Sequence, residues 1–180
     1  MRVVLDACVL YPTVLREILL GAAAAGLYEP VWSERILREW VLATAKIGVG
    51  AQVLAEGDAA FTRAAFPRAT HRAEPEIEAR LSLPDDNDIH VLAVAISSHA
   101  DAILTYNAKD FPRPVLAEYG IERREPDGFL WELWSGSPGA VSQIVDRVRA
   151  TAERLSGQPM PLARLLKRVR LYRLSKAMAG

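Results

Sequence analysis

One cysteine, Cys8, is all the thiol that the 180 residues contain, so an intrachain disulfide is excluded and a zinc site built on cysteines lacks ligands. No run of about eighteen apolar residues is present to cross a bilayer. The N-terminus enters at once on Arg2-Val3-Val4-Leu5-Asp6, with no charged leader, apolar segment and cleavage site. The expectation is a cytoplasmic protein with no membrane partner. Charge of one sign is missing too: 22 basic residues balance 22 acidic ones, so the whole molecule has no general attraction for a polyanion. Nor is there a Gly-x-Ser-x-Gly elbow, a glycine-rich phosphate loop or a dinucleotide fingerprint, which leaves the corresponding hydrolase, nucleotidase and dehydrogenase plans without support.

What is present is hydrophobic mass, about half of all residues, in a length that fits one domain with a sizeable core. The charge balance hides an asymmetry. Residues 161–180 carry Arg164, Lys167, Arg168, Arg170, Arg173 and Lys176 and no acid, which leaves 16 basic against 22 acidic residues in 1–160. The tail is basic and the body acidic.

Arg2 to Asp6 is a short β-branched run ending in a carboxylate, the form of a buried parallel strand. Thr13 to about Ala25 is rich in helix formers and stops at Gly26, so the chain opens as a β–α–β unit. Tyr28 to Trp32 reads as extended, and Ser33 as the N-cap of a helix running to about Lys46. On a helical wheel Ile36, Leu37, Trp40, Val41 and Thr44 form one apolar arc, with Glu39 just beyond its edge. Gln52 to about Phe66 reads as a further helix and Pro75 to Leu81 as a short turn or helix.

Pro84-Asp85-Asp86-Asn87-Asp88 leads into Ile89 to Ile96, a helix apolar nearly all round and therefore deep in the fold. Ala102 to Thr105 is a second apolar strand, followed by a turn-forming loop from Tyr106 to Pro112. Val115 and Ile121-Glu122 suggest short edge strands, and Asp127 a cap for a helix through Trp134. A long helix follows to about Leu155, then a break at Gly157-Gln158-Pro159. One basic amphipathic helix, with Leu162, Leu165, Leu166, Val169 and Leu171, completes the chain. The order of elements predicts a parallel α/β sandwich.

Ligands in open α/β sheets bind at the carboxyl ends of strands, and the two apolar strands end in, or lead into, Asp6 and Asp110. If the helix headed by Asp88 and the helix edge at Glu39 face the same crevice, four carboxylates share one small site. Such a cluster repels itself when ionised, and a hard divalent cation, Mg²⁺ or Mn²⁺, suits its oxygen donors best. An all-carboxylate site without an evident nucleophile favours phosphodiester hydrolysis by metal-activated water.

Three segments resemble the PIN-domain family of ribonucleases. Val3 to Leu10 is similar to its first strand with the metal aspartate, and Trp32 to Trp40 to the helix that supplies a glutamate. The most specific is Leu83-Pro84-Asp85-Asp86-Asn87-Asp88-Ile89-His90-Val91-Leu92-Ala93-Val94-Ala95, running on through Ala100 to Asn107 and Lys109-Asp110-Phe111-Pro112. Within the family the likeness is to the VapC-like toxin branch of toxin–antitoxin pairs. The resemblance implies a Rossmann-like α/β/α sandwich with a central, mainly parallel sheet as a nuclease core over residues 1–125, and a C-terminal helical extension over 126–180. It implies Asp6, Glu39 and Asp88 as metal ligands, an RNA substrate, a small DNA-binding antitoxin as partner and a tendency to form homodimers. Where many PIN domains place a fourth aspartate, this chain has Asn107, a neutral oxygen ligand, and Asp110 is the alternative fourth member.

Blander roles compete at each position. Asp85 and Asp86 read as helix caps opposing the dipole. Asp88 lies on the face of Leu92 and Ala95 and points inward. Glu39 alone is either a solvated helix edge or a ligand, and Asp110 either stabilises its turn or binds metal. His90 falls on the more polar side of its helix and reads as structural or capping. Thr105 is placed to orient a ligand carboxylate, though a buried strand threonine needs no such role. Trp131 and Trp134 read as core or interface anchors rather than stacking platforms for bases. Arg164, Lys167, Arg168 and Arg170 fit either RNA phosphates or an acidic antitoxin. Two further functional classes stand beside the nuclease: a PIN-like RNA-binding scaffold without catalysis, and a phosphatase or receiver domain. The last wants a second carboxylate beside or two after the first-strand aspartate, and Ala7-Cys8 supplies none.

Overall fold

The computed structural model describes residues 1–179. In chain order it contains β1 (Arg2–Leu5), α1 (Ala7–Leu10), α2 (Thr13–Ala24), β2 (Glu29–Val31), α3 (Glu34–Thr44), α4 (Val49–Ala65) and α5 (Pro75–Glu78). A 3₁₀ turn (Asp86–Asp88), α6 (Ile89–Ser97), β3 (Ala102–Leu104), α7 (Arg113–Ala117) and β4 (Glu122–Arg124) follow. The chain continues through α8 (Pro126–Gly136), α9 (Pro138–Ser156), α10 (Leu162–Arg168) and α11 (Tyr172–Ala177). No helix of the described residues is long and apolar enough to cross a membrane.

Contacts gather the chain into two compact units, one of residues Met1–Tyr11 with Tyr28–Arg124, the other of Pro12–Leu27 with the chain from Glu125 onward. The first holds a four-stranded, all-parallel sheet in the order β2-β1-β3-β4. The two central strands are buried along Val3–Leu5 and Ala102–Leu104, as their apolar runs predict. The edges are polar: Pro30 interrupts β2, where a missing N–H is tolerated, and β4 reads Glu-Arg-Arg. Chain order departs to β2 on one side of β1 and to β3 and β4 on the other. The reversal lies between β1 and β3, where the carboxyl ends of parallel strands leave a crevice. This is the parallel α/β class that the sequence predicts.

Helix α3 begins where expected: the Ser33 hydroxyl accepts from the Ile36 amide at 3.2 Å, and Ile36, Leu37, Trp40, Val41 and Thr44 are buried. Along α6 every residue from His90 to Ala95 is buried. His90, itself 1% exposed, therefore does not occupy a solvated side of its helix.

Three other expectations change. Val115 lies in α7 rather than an edge strand, since Pro112 and Pro114 sit at the N-terminus of a short helix, where a missing amide hydrogen costs nothing. In the second unit, Asp127 sits in the first turn of α8 but caps α11: its carboxylate accepts from the amides of Arg173 at 2.8 Å and Leu174 at 3.0 Å. Those amides have no partner inside their own helix, and a nearby acid satisfies them from a distance the sequence does not reveal. The basic C-terminal segment is two short helices, not one. Arg170, at φ 60, breaks it, and Leu171 turns inward to full burial. Trp131 and Trp134 are half-buried: the Arg173 guanidinium lies 3.4 Å over the Trp131 ring, and the Trp134 indole donates to Ser142 Oγ.

Candidate metal centre

Register sets the centre of the site. Leu5 pairs with Leu104, so the next residues, Asp6 and Thr105, leave the sheet side by side at the carboxyl ends of β1 and β3. The Asp6 amide still donates to Leu104 O, at 3.2 Å. Asp6 is buried, 6% exposed, and its Oδ2 accepts from the Thr105 hydroxyl at 2.6 Å and the Cys8 thiol at 3.1 Å. Burial, and then the Asp6 charge, push the Cys8 thiol up to about 12, so it stays protonated and donates. Cys8 thus belongs to the hydrogen-bond network around Asp6. Its sulfur also accepts from the Tyr106 amide at 3.3 Å, fastening the start of the loop that follows β3.

That loop meets the second group of acids, at the turn before α6. Asn107 donates its amide N–H to Thr105 Oγ1 at 2.9 Å and its side-chain Nδ2–H to Asp88 Oδ2 at 3.0 Å. Arg123, on β4, donates from Nη1 to the carbonyls of Ala108 at 2.7 Å and Phe111 at 3.0 Å, clamping the segment that carries Asp110. Asp85, Asp88 and Asp110 come together with carboxylate oxygens within 4.8 Å of one another, each half-buried.

Asp88 shows the electrostatic cost of this grouping. Burial raises its pKa first, then repulsion from Asp6, Asp110 and Asp85, to about 6 against an ordinary 3.8. Asp6, Asp85, Asp88 and Asp110 thus form one electrostatically connected set.

Asp85 is the member that sequence reasoning assigned to capping alone. It does cap: its Oδ1 accepts from the Asn87 amide at 2.9 Å. The missed signal is its spacing. Residues three apart on a 3₁₀ turn eclipse one another, so Asp85 and Asp88 face the same way. Asp86, between them, is exposed.

Glu39 stands outside the close triple but is tied to its base. Arg35 Nε donates to Glu39 Oε1 at 3.0 Å, while Arg35 Nη2 donates to the Asn87 carbonyl at 3.3 Å, at the turn that carries Asp88. His90 Nε2 lies 3.0 Å from the same Oε1. Partial burial acts to raise the Glu39 pKa, but His90 and Arg35 together outweigh it and hold the carboxyl below its ordinary value.

The basic residues singled out near the C-terminus lie elsewhere in the chain. Arg164, Lys167 and Arg168 are exposed and line a shallow surface depression with Pro161 and Ala163; Arg170 is exposed as well.

The donors around Asp88 are oxygen atoms whose charges repel one another, the chemistry that a hard divalent cation satisfies; the residues present fit such an ion. No curated protein and no solved structure matches the chain. A family model described as PIN domain matches residues 2–109, from the start of β1 to the loop that holds Asn107, and so covers Asp6, Glu39, Asp85 and Asp88 and ends one residue before Asp110. The chain belongs to the PIN-domain family.

Proposed function

We propose that the protein is a Mg²⁺- or Mn²⁺-dependent endoribonuclease, the toxin of a toxin–antitoxin pair, with residues 1–125 as the nuclease core and 126–180 as a helical extension. PIN domains are generally nucleases acting on RNA with divalent metals, and the observation that carries the proposal here is the set of acids converging on Asp88 at the crevice between β1 and β3. Asp6, Glu39, Asp88 and Asp110 are the proposed ligands and catalytic carboxylates; Asp85 joins them, and Asn107 supports Asp88 or lends its carbonyl oxygen.

When bound, the cation activates water and neutralises charge that develops on the phosphate. The chain's own groups prepare the rest. Thr105 and Cys8 hold Asp6 through Oδ2, which leaves Oδ1 as the proposed ligand atom. His90 and Arg35 keep Glu39 ionised. Asp88, pushed up by burial and by repulsion from Asp6, Asp110 and Asp85, is the acid whose ionised form a cation would relieve most. Strand β4 contributes no acid to the set; its Arg123 keeps the loop in place.

Two surfaces support the partner assignments. Arg164, Lys167, Arg168 and Arg170 supply positive charge for RNA phosphates or an acidic antitoxin segment. The outward face of α4 supports a homodimer. Val49 is 81% exposed, Leu54 73% and Phe61 77%, with Val53 between them and Ile47 and Leu42 adjoining. Val49, Gly50, Val53, Leu54, Gly57, Ala60, Phe61, Ala64 and Ala65 cover an arc of roughly 160° without a charge. The six large side chains expose on the order of 700 Å², near the ~800 Å² per partner of a stable interface. Two copies crossing antiparallel at Gly57 would set Val53 level with Phe61 and Leu54 level with Ala60, apolar against apolar.

The test is cleavage of single-stranded RNA by purified protein. Cleavage in Mg²⁺ that stops in chelator and in a folded Asp6→Asn variant is expected. Equal cleavage by that variant would sink the proposal, and RNA binding without metal uptake would identify a binding-only PIN domain instead.

A further inference from the structure

We propose that His90 is a positioning residue for Glu39: the imidazole and Arg35 grip one carboxylate oxygen from two sides, so that the other is presented to the cation. The inference rests on the assignment of Glu39 to the metal centre.

The imidazole sits where an ionisable group is least at home. It lies on α6, whose next five residues, Val91–Ala95, are all buried, and it is itself 1% exposed. Neither ring nitrogen has a well-aligned hydrogen bond. A buried polar group in that condition costs stability that an apolar side chain would not. Its Nε2 nevertheless approaches Glu39 Oε1 to 3.0 Å. The approach is short but bent away from the N–H direction, so it acts as a close electrostatic contact.

The choice of oxygen gives the contact its meaning. Arg35 Nε also reaches Oε1, at 3.0 Å, so both neighbours engage one oxygen rather than one each. A carboxylate held on both sides of Oε1 has its rotation about the terminal bond fixed and Oε2 left to point elsewhere. The two anchors have different footing. Arg35 is half-exposed and reaches the Asn87 carbonyl, beside Asp88; His90 belongs to the buried helix that follows Asp88 directly. Together they lock Glu39 of α3 to the segment that carries the central acid. Outer groups that orient ligands in this way change metal affinity or activity by about 10- to 100-fold when removed.

Mn²⁺ titration calorimetry on the full chain tests this with His90→Leu, His90→Gln, Glu39→Gln and the double variant Glu39→Gln/His90→Leu. His90→Leu is expected to weaken Mn²⁺ binding by about 10- to 100-fold while leaving the melting temperature in chelator unchanged or higher. His90→Gln, whose amide nitrogen reaches close to the place of Nε2, recovers most of the affinity. In the Glu39→Gln background His90→Leu has no further effect. A purely structural histidine would show none of this rescue or coupling. If leucine prevents folding, His90→Met takes its place in the same cycle. Mn²⁺ binding by His90→Leu equal to wild type, or an equal loss in both backgrounds, overturns the inference while Glu39→Gln still reports on the centre. If wild type takes up no Mn²⁺, or Glu39→Gln binds as wild type does, the metal-centre assignment falls and this inference with it.

Discussion

Thr105 donates its hydroxyl to Asp6 Oδ2 at 2.6 Å, from the position immediately after β3 to the position immediately after β1. Both residues are buried, and the same hydroxyl oxygen accepts the Asn107 amide at 2.9 Å. One side chain thus fixes Asp6 and the loop that carries Asn107 and Asp110.

Thr105→Val removes the hydroxyl at nearly constant volume. A buried hydrogen bond to a charged acceptor is lost, so destabilisation of about 1–3 kcal/mol is expected, with a 10- to 100-fold fall in Mn²⁺ affinity or RNA cleavage. Thr105→Ser keeps the oxygen and should retain most of both. Denaturant melts and titration calorimetry on the two variants check this; valine and serine behaving alike would remove the hydroxyl from the account.

Asp88 makes metal-free stability depend on pH with a defined sign. Its folded pKa, about 6, lies above the ordinary 3.8, so its protonated form favours folding. That contribution is fully present below about pH 4 and is lost as pH rises through 6. In chelator, the melting temperature of wild type minus that of Asp88→Asn should fall across this window and level off above it, with Asp88→Asn the more stable protein at pH 7. Added Mg²⁺ should reverse that order at pH 7. A pH-independent difference in chelator would refute the shift.

The contrast between what the sequence disclosed and what it withheld follows the range of the interactions. Strands β1 and β3, the N-cap Ser33 and the apolar arc of α3 rest on neighbours within a few residues, and each forms as read. Asp6 and Asp88 stood out because a carboxylate at the end of an apolar strand or head of an apolar helix has few bland explanations. Asp85 was hidden because its capping role is real and its second role depends on Asp110, twenty-five positions away. His90 and Asp127 were misplaced for the same reason. Their partners, Glu39 and the amides of Arg173 and Leu174, come from other elements, and a wheel drawn on one helix cannot show them. Arg123, which no sequence signal singles out, clamps the site loop through carbonyls that no side-chain pattern reports.

Asn107 sits where an additional acid would change the charge balance of the site. Its amide donates to Asp88 Oδ2, which favours the ionised carboxylate. Asn107→Asp replaces that donor with a like charge. In chelator at pH 7 a loss of about 1 kcal/mol, roughly 2–4 °C for a chain of this size, is expected. In Mn²⁺ the added oxygen charge should tighten binding and more than restore the lost stability. Thermal melts with and without Mn²⁺ read both effects; a variant destabilised equally in each would show that residue 107 faces no cation.

The outer face of α4 sets the last expectation. Leu54 and Phe61 are exposed at 73% and 77%, while Ala55, Ala59 and Thr62 hold the other side of the helix in the core. Charges placed at the two exposed positions therefore leave the fold untouched but cannot be buried against a second copy. Leu54→Glu combined with Phe61→Glu should convert a dimer to a monomer in sedimentation equilibrium, with the melting temperature at low concentration within a few degrees of wild type. Gly57→Leu, which meets open space in a single chain, should weaken the same association by separating helices that cross there. A wild type that stays monomeric at concentrations of about 100 μM, where even a weak interface would be populated, would leave the homodimer without support.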